Sequence, residues 1–243
     1  MHDCWASEVR VENCDLGFGF TSAKSITLSG VVVGGRAAHH SFACRMQSHD
    51  NLVDDFQIEA FTVPVPSGAV HHGLNVEGLS SGNVWRRGRM AEGTFDTHRA
   101  LPFENARTDI TMVNNGRVGG SAASGPLFGA RMAHWNVRIT GGSAYAVTIA
   151  DVAPRSATVG IQGTDDTASG LPRDFTGDLQ NLLTEQGSSP QVTDLYAAQR
   201  NRLPRPGVSE TGAFEDSAQP SQAKSAAVMP AGWPGGHCTS SIR

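Results

Sequence analysis

The sequence has no excess of positive charge. Its 19 lysines and arginines are outnumbered by 23 aspartates and glutamates, for a formal net charge of −4. That balance lacks the basic footprint expected of a nucleic-acid partner. No apolar run approaches the roughly 18 residues that a membrane-spanning helix needs. Met1 to Phe20 lack the basic start and apolar stretch of a signal peptide and read as the interior of a β-domain, so the expectation is that an upstream portion is missing. No CxxC pair is present, which removes the usual thiolate zinc pattern; Cys4, Cys14, Cys44 and Cys238 leave both disulfides and buried thiols open. A Gly-rich phosphate loop, a GxSxG elbow and an HExxH pair are also absent.

What remains is turn-rich and globular, with 39% hydrophobic residues and 28 glycines. It is also repetitive. Ser25, Asn51, Asn83, Asp109, Asn136 and, more weakly, Ser156 each precede an apolar β-former and a strand-like run, at spacings of 26, 32, 26, 27 and 20. The long interval holds a Pro- and Val-rich insertion, Phe61 to Val70. A second strand is expected before each landmark, at Phe42-Ala43-Cys44, Leu74-Asn75-Val76, Leu101-Pro102-Phe103, Leu127-Phe128-Gly129 and Tyr145-Ala146-Val147. One such coil cannot bury its apolar side chains alone, but stacked coils share a core and form parallel ladders. The spacing therefore predicts an all-β chain, a right-handed parallel β-helix with coils of about 26 residues, whose stacked Asx side chains bond from coil to coil. An antiparallel sandwich is the competing architecture, with Gly141-Gly142 and Asn115-Gly116 as its hairpin turns, but it does not call for a common register.

The organisation read from composition is coils over 1–163, a helical cap over 164–203 and a low-complexity, disordered tail over 204–243. Leu179, Leu182 and Leu183 place a helix at Asp178 to Gln186, and Thr193 caps a second reaching Leu203. Both are expected to cover an open end of the coil stack.

Several runs resemble secreted bacterial proteins of the pectate-lyase-like β-helix superfamily. They are His71-His72-Gly73-Leu74-Asn75, Ser80-Ser81-Gly82-Asn83, Phe95-Asp96-Thr97-His98-Arg99, Gly125-Pro126-Leu127-Phe128-Gly129-Ala130-Arg131, His134-Trp135-Asn136-Val137 and Asp194-Leu195-Tyr196-Ala197-Ala198-Gln199. The likeness spans about residues 1–203. It implies an extracellular, polysaccharide-active solenoid: a lyase acting by β-elimination on uronic acids, a glycoside hydrolase, or a non-catalytic glycan-binding or tailspike-like module, monomeric or trimeric. The superfamily's range of activities leaves the reaction open.

A uronate lyase needs a cation against the substrate carboxylate, a base for the C5 proton and an acid for the leaving group. Arg99 or Arg107 supplies a guanidinium fork, His98 a base that titrates near neutrality, and Asp96 a carboxylate to orient His98 or hold a metal. A turn-fixing ion pair between Asp96 and Arg99 is the structural alternative. His40, His72 and His98 or Arg99 fall in nearly one column, giving a stripe suited to an anionic glycan or else a ligand-free His ladder. His72 therefore joins the catalytic candidates, with His71, Arg107, Glu104, Arg131 and His134 as substrate contacts. No metal ligands are assigned and no cofactor is required, with calcium left open. Asp54-Asp55 and Arg86-Arg87 share an offset from Asn51 and Asn83, which reads as a salt-bridge ladder between coils. Trp85 and Trp135 read as packing residues before sugar platforms.

Overall fold

In the computed structural model, residues 1–117, 119, 129–141, 153–163 and 180–202 are described, all within a compact unit running from Met1 to Pro204. The described strands pair only in parallel. One flank is a nine-stranded sheet in which β1 (His2–Ser7), β4 (Lys24–Gly34), β6 (Leu52–Ile58), β8 (Val84–Met90), β10 (Ala106–Met112), β11 (Ala133–Ile139), β12 (Ala157–Gly163) and β13 (Leu182–Thr184) follow one another, and β2 (Arg10–Glu12) also joins β4. A second sheet stacks β3 (Leu16–Thr21), β5 (His40–Arg45), β7 (Gly73–Val76) and β9 (Thr94–Thr97). A line of single parallel bridges, Lys24 to His49 to Ser81 to Phe103 to Ala130, marks a third edge. The chain is a parallel β-solenoid.

The long sheet shows why the sequence folds this way. β6 and β8 bury their second, fifth and seventh residues: Val53, Phe56 and Ile58, then Trp85, Gly88 and Met90. Strict alternation would bury every second residue. The extra step comes from a left-handed residue inserted at Asp55, Arg87, Asp109 and Asn136, with φ between +51° and +56°. The register skips this position in every pair, since Asp54 faces Arg86 and Val31 faces Phe56. Asn and Asp tolerate that conformation better than most residues. The stacked bulge turns three inward columns onto the core, one of them Val31, Phe56, Gly88, Ile110, Val137 and Ile161. Gly88 is required there, because a Cβ would lie 2.2 Å from the Phe56 ring.

The amide ladder is present, but with different members. Asn51 Nδ2 donates to Asn83 Oδ1 at 2.7 Å, and Asn83 Nδ2 donates to Asn105 Oδ1 at 2.8 Å. All three are buried, and each also donates to a coil carbonyl: Ala23, Ser48 and Ser80 respectively. The column continues through Met132 and Ser156 to Asn181. True steps from Ile26 along it are 25, 32, 22, 27, 24 and 25 residues. The sequence landmarks thus combine three columns. Ser25 precedes the ladder, Asn51, Asn83 and Ser156 belong to it, and Asp109 and Asn136 occupy the bulge, where they hydrogen-bond each other at 3.0 Å.

Other expectations need correcting. The short-sheet strand that follows Gly73–Val76 is Thr94–Thr97, not Leu101–Phe103, because Leu74 pairs with Phe95. Leu182 and Leu183 are strand, not helix: the free edge of β12 templates Leu182–Thr184 as a further rung. The remaining helix, α1 (Leu195–Arg202), is capped by Asp194, whose Oδ1 accepts the Ala197 amide, and not by Thr193. It lies against β10 on the flank of the long sheet, where Leu195 N donates to Thr108 Oγ1. Cys4, Cys14 and Cys44 are free thiols. Leu127, Phe128, Tyr145 to Val147, Leu179, Leu203, Cys238 and the 204–243 tail lie outside the described residues. Among the described residues, no helix is long and apolar enough to cross a membrane.

Candidate functional site

Three strands of the short sheet are buried on both faces: every residue of β7 and β9 is buried, and so are the first five of β5. One face carries Phe42, Cys44, Leu74, Val76 and Phe95 into the core. On the alternate positions stand Asn75 and Asp96, both fully buried and in register. The chain after β10 folds over them: Arg117 N donates to His71 O, and Gly119 N donates to Asp96 Oδ1 at 2.6 Å. Close passage of this segment relies on glycine, since a Cβ on Gly116 would sit 2.3 Å from His72 O.

Asp96 is the hub of the polar cluster beneath. Its Oδ2 lies 2.7 Å from His98 Nδ1, 3.3 Å from His72 Nδ1 and 3.8 Å from His40 Nε2. Asn75 Nδ2 donates to the same oxygen at 2.9 Å. The rings of His40 and His72 stack at 4.6 Å with 9° between planes, and His98 meets both edge-on. His40 Nδ1 accepts from Arg45 Nη2 at 2.9 Å, and His72 Nδ1 lies 2.6 Å from Arg117 O. Relative exposure is 3% for His40 and His72, 7% for His98 and 0% for Asp96. Desolvation drives the His40 pKa down to about 2 and lowers that of His72, against the opposing pull of Asp96. Both imidazoles are neutral near pH 7. Burial pushes the Asp96 carboxyl up, but the side-chain hydrogen bonds from His98 and Asn75 and the pull of the imidazoles around it outweigh that, holding it below the usual carboxylate range.

The sequence grouped His40, His72 and His98 or Arg99 in one column. His40 and His72 do align, whereas their equivalent on the next coil is Gly93, and His98 enters from beyond β9. The column is therefore an enclosed knot, not a surface stripe. Arg99 is exposed and outside it, joined to the neighbouring coil by its carbonyl, which accepts Gly78 N. The insertion did mark the place, since it ends at His71 and His72, with His71 edge-on to Phe61. Sequence alignment on the second strand missed that Asn75 and Asp96 share a register position.

The other candidates scatter. Arg107 is fully buried inside the solenoid, between the Trp85 and Phe95 rings, and donates to the carbonyls of Leu74 and Asp96. His134, in register with it, lies 3.1 Å from its Nη1. Neither meets a polymer outside the coil. Glu104 and Arg131 form an exposed ion pair between adjacent coils at 2.6 Å. Arg86 and Arg87 both pair with Asp54, as the ladder reading requires, and Arg86 also holds Asp194. Trp85 is fully buried, and half-buried Trp135 donates to Val192 O, so both pack.

Comparison of the chain with protein-family models, curated proteins and solved structures finds no match.

Proposed function

We propose that this chain is a glycan-binding β-solenoid whose long sheet presents a ligand-facing stripe to an extended anionic polysaccharide. The observation that supports this reading is a polar column in register on the outer surface: Gln57, Arg89, Thr111, Arg138 and Gln162. The first four are exposed. The arginine pairs of this region use Arg86, Arg87 and Arg131, which leaves Arg89 and Arg138 without a carboxylate among the described residues. Two ladder steps set these guanidinium groups about 9–10 Å apart along the coil axis. A guanidinium fork suits a uronate carboxylate. A binding role is favoured over lyase or hydrolase chemistry because the cluster containing Asp96, His72 and His98 is enclosed, and a base must come within hydrogen-bond reach of its proton. An extracellular setting rests on the family resemblance alone.

Binding to a polyuronate and to a neutral glycan, measured by calorimetry alongside absorbance near 235 nm and reducing-end release, tests this. The expected result is polyuronate binding without turnover, weakened roughly tenfold or more by the paired substitution Arg89→Ala and Arg138→Ala. Cleavage of either glycan, or binding indifferent to that substitution, overturns it.

A further inference from the structure

We infer that His40, His72, Asp96 and His98 form a binding site for a divalent transition-metal ion that ties three successive coils together. One ligand atom from each residue lies within 4.8 Å of all the others. A tetrahedral zinc site with bonds of about 2.0–2.1 Å has ligand–ligand edges of about 3.3 Å. The three nitrogens stand 2.7, 3.3 and 3.8 Å from Asp96 Oδ2, so they bracket that edge length. Binding draws the four ligand atoms, which lie within 4.8 Å of one another, inward to that edge length.

The chemistry selects the ion. Three imidazoles and one carboxylate suit zinc and its first-row neighbours, whereas calcium takes six to eight oxygens. The histidines come from three coils, and all four residues are at most 7% exposed. A closed four-ligand shell is the mark of a structural site. The outer ring is in place too: Gly119 N fixes Asp96 Oδ1 and leaves Oδ2 toward the histidines.

Asn75 points to the same ion independently. Its Nδ2 lies 2.9 Å from His98 Nδ1 and 2.9 Å from Asp96 Oδ2, while its Oδ1 is buried without a partner among the described residues. If His98 Nδ1 carries the hydrogen given to Asp96, two N–H groups face each other. An ion at the cluster removes that conflict: His98 Nδ1 becomes a ligand, and Asn75 Nδ2 keeps its bond to Asp96 Oδ2. Binding reorders two further contacts. His72 Nδ1 gives up Arg117 O, moving its proton to Nε2. His40 binds through Nε2 and carries its proton on Nδ1, releasing Arg45 to Glu77, which lies 3.2 Å from Arg45 Nε. His40 and His72 thus keep their protons, each on the ring nitrogen that does not bind the ion.

The test uses the full chain without a histidine tag, stripped with EDTA and titrated with Zn²⁺, Co²⁺ and Ca²⁺. One Zn²⁺ per chain is expected, raising the melting temperature by about 5–10 °C at about 100 times the dissociation constant. Co²⁺ is expected to give the visible bands of a tetrahedral nitrogen and oxygen site without thiolate charge transfer. His98→Ala and Asp96→Asn are expected to lose both effects, and His49→Ala, outside the cluster, to keep them. If the cluster variants do not fold, the stoichiometry and Co²⁺ spectrum of the unaltered chain decide. Absent stoichiometric Zn²⁺ binding, a thiolate spectrum, an equal shift with Ca²⁺, or full binding by folded His98→Ala overturns the site.

Discussion

Asn83 shows how much of this fold rests on single side chains. Its Oδ1 accepts both the Asn51 side-chain amide, at 2.7 Å, and the Asn51 backbone amide, at 3.3 Å. Its Nδ2 serves Asn105 and Ser48 O. Every atom concerned is out of water, and a buried polar group left unpaired costs about 1–3 kcal/mol. Asn83→Ala strands donors on one coil and acceptors on the next, so a loss of about 3–4 kcal/mol is expected. At about 2–4 °C per kcal/mol for a chain of this size, the melting temperature falls by about 6–16 °C. Gln57→Ala, on the exposed face, stays within about 0.5 kcal/mol. Equal thermal shifts for the two variants would rule out the ladder as a stabilising element.

At the scale of elements, α1 is the piece most dependent on its surroundings. Eight residues make a marginal helix in isolation, and α1 has no buried residue. It is anchored at its start, where Asp194 caps Ala197 and pairs with Arg86, whose Nε it accepts at 2.8 Å. Asp194→Ala removes cap and ion pair together but leaves Arg86 bonded to Asp54 at 2.9 Å. The expected result is local: trypsin cleaves at Arg200 and Arg202 roughly tenfold faster or more, corresponding to about 1.4 kcal/mol of lost local stability, while the global melting temperature barely moves. A large drop in global melting temperature would show that α1 is part of the core.

The elements also show what the sequence made legible. Parallel coils, the two-strand repeat, the stretched coil and the Asp54 and Arg86 pairing follow from periodic polar and apolar spacing, because each coil buries the same positions. The register did not, because two different columns favour Asx for different reasons: the ladder uses amide hydrogen bonds and the bulge uses tolerance of positive φ. Leu182 and Leu183 were misread because helical spacing carries no trace of the open β12 edge that recruits them. The His and Asp cluster was visible residue by residue. Its enclosure was not, since the cover comes from Arg117 and Gly119, a coil further on and featureless in pattern.

For the molecule as a whole, enclosing neutral histidines couples folding to pH. His40 is held at a pKa of about 2 chiefly by desolvation, opposed by Asp96 and reinforced by His72, Arg45 and His39. His72 is lowered from 6.5 for the same leading reason. Once unfolded, both histidines titrate near 6.5. Between that value and the depressed folded pKa the unfolded chain binds more protons, so stability rises with pH across the window. The contribution is fully present above about pH 6.5 and is lost as pH falls below it, at about 1.4 kcal/mol per unit for each group. At pH 5, His40 alone accounts for about 2 kcal/mol. Asp96, depressed in the folded state, adds a loss in the same direction below its ordinary 3.8. In EDTA, the urea midpoint is therefore expected to fall steadily from pH 7.5 to pH 5, and His40→Gln, which cannot take up a proton, to flatten that slope. A midpoint constant across this range would mean that the histidines meet water in the folded chain, and the enclosed cluster would have to be abandoned.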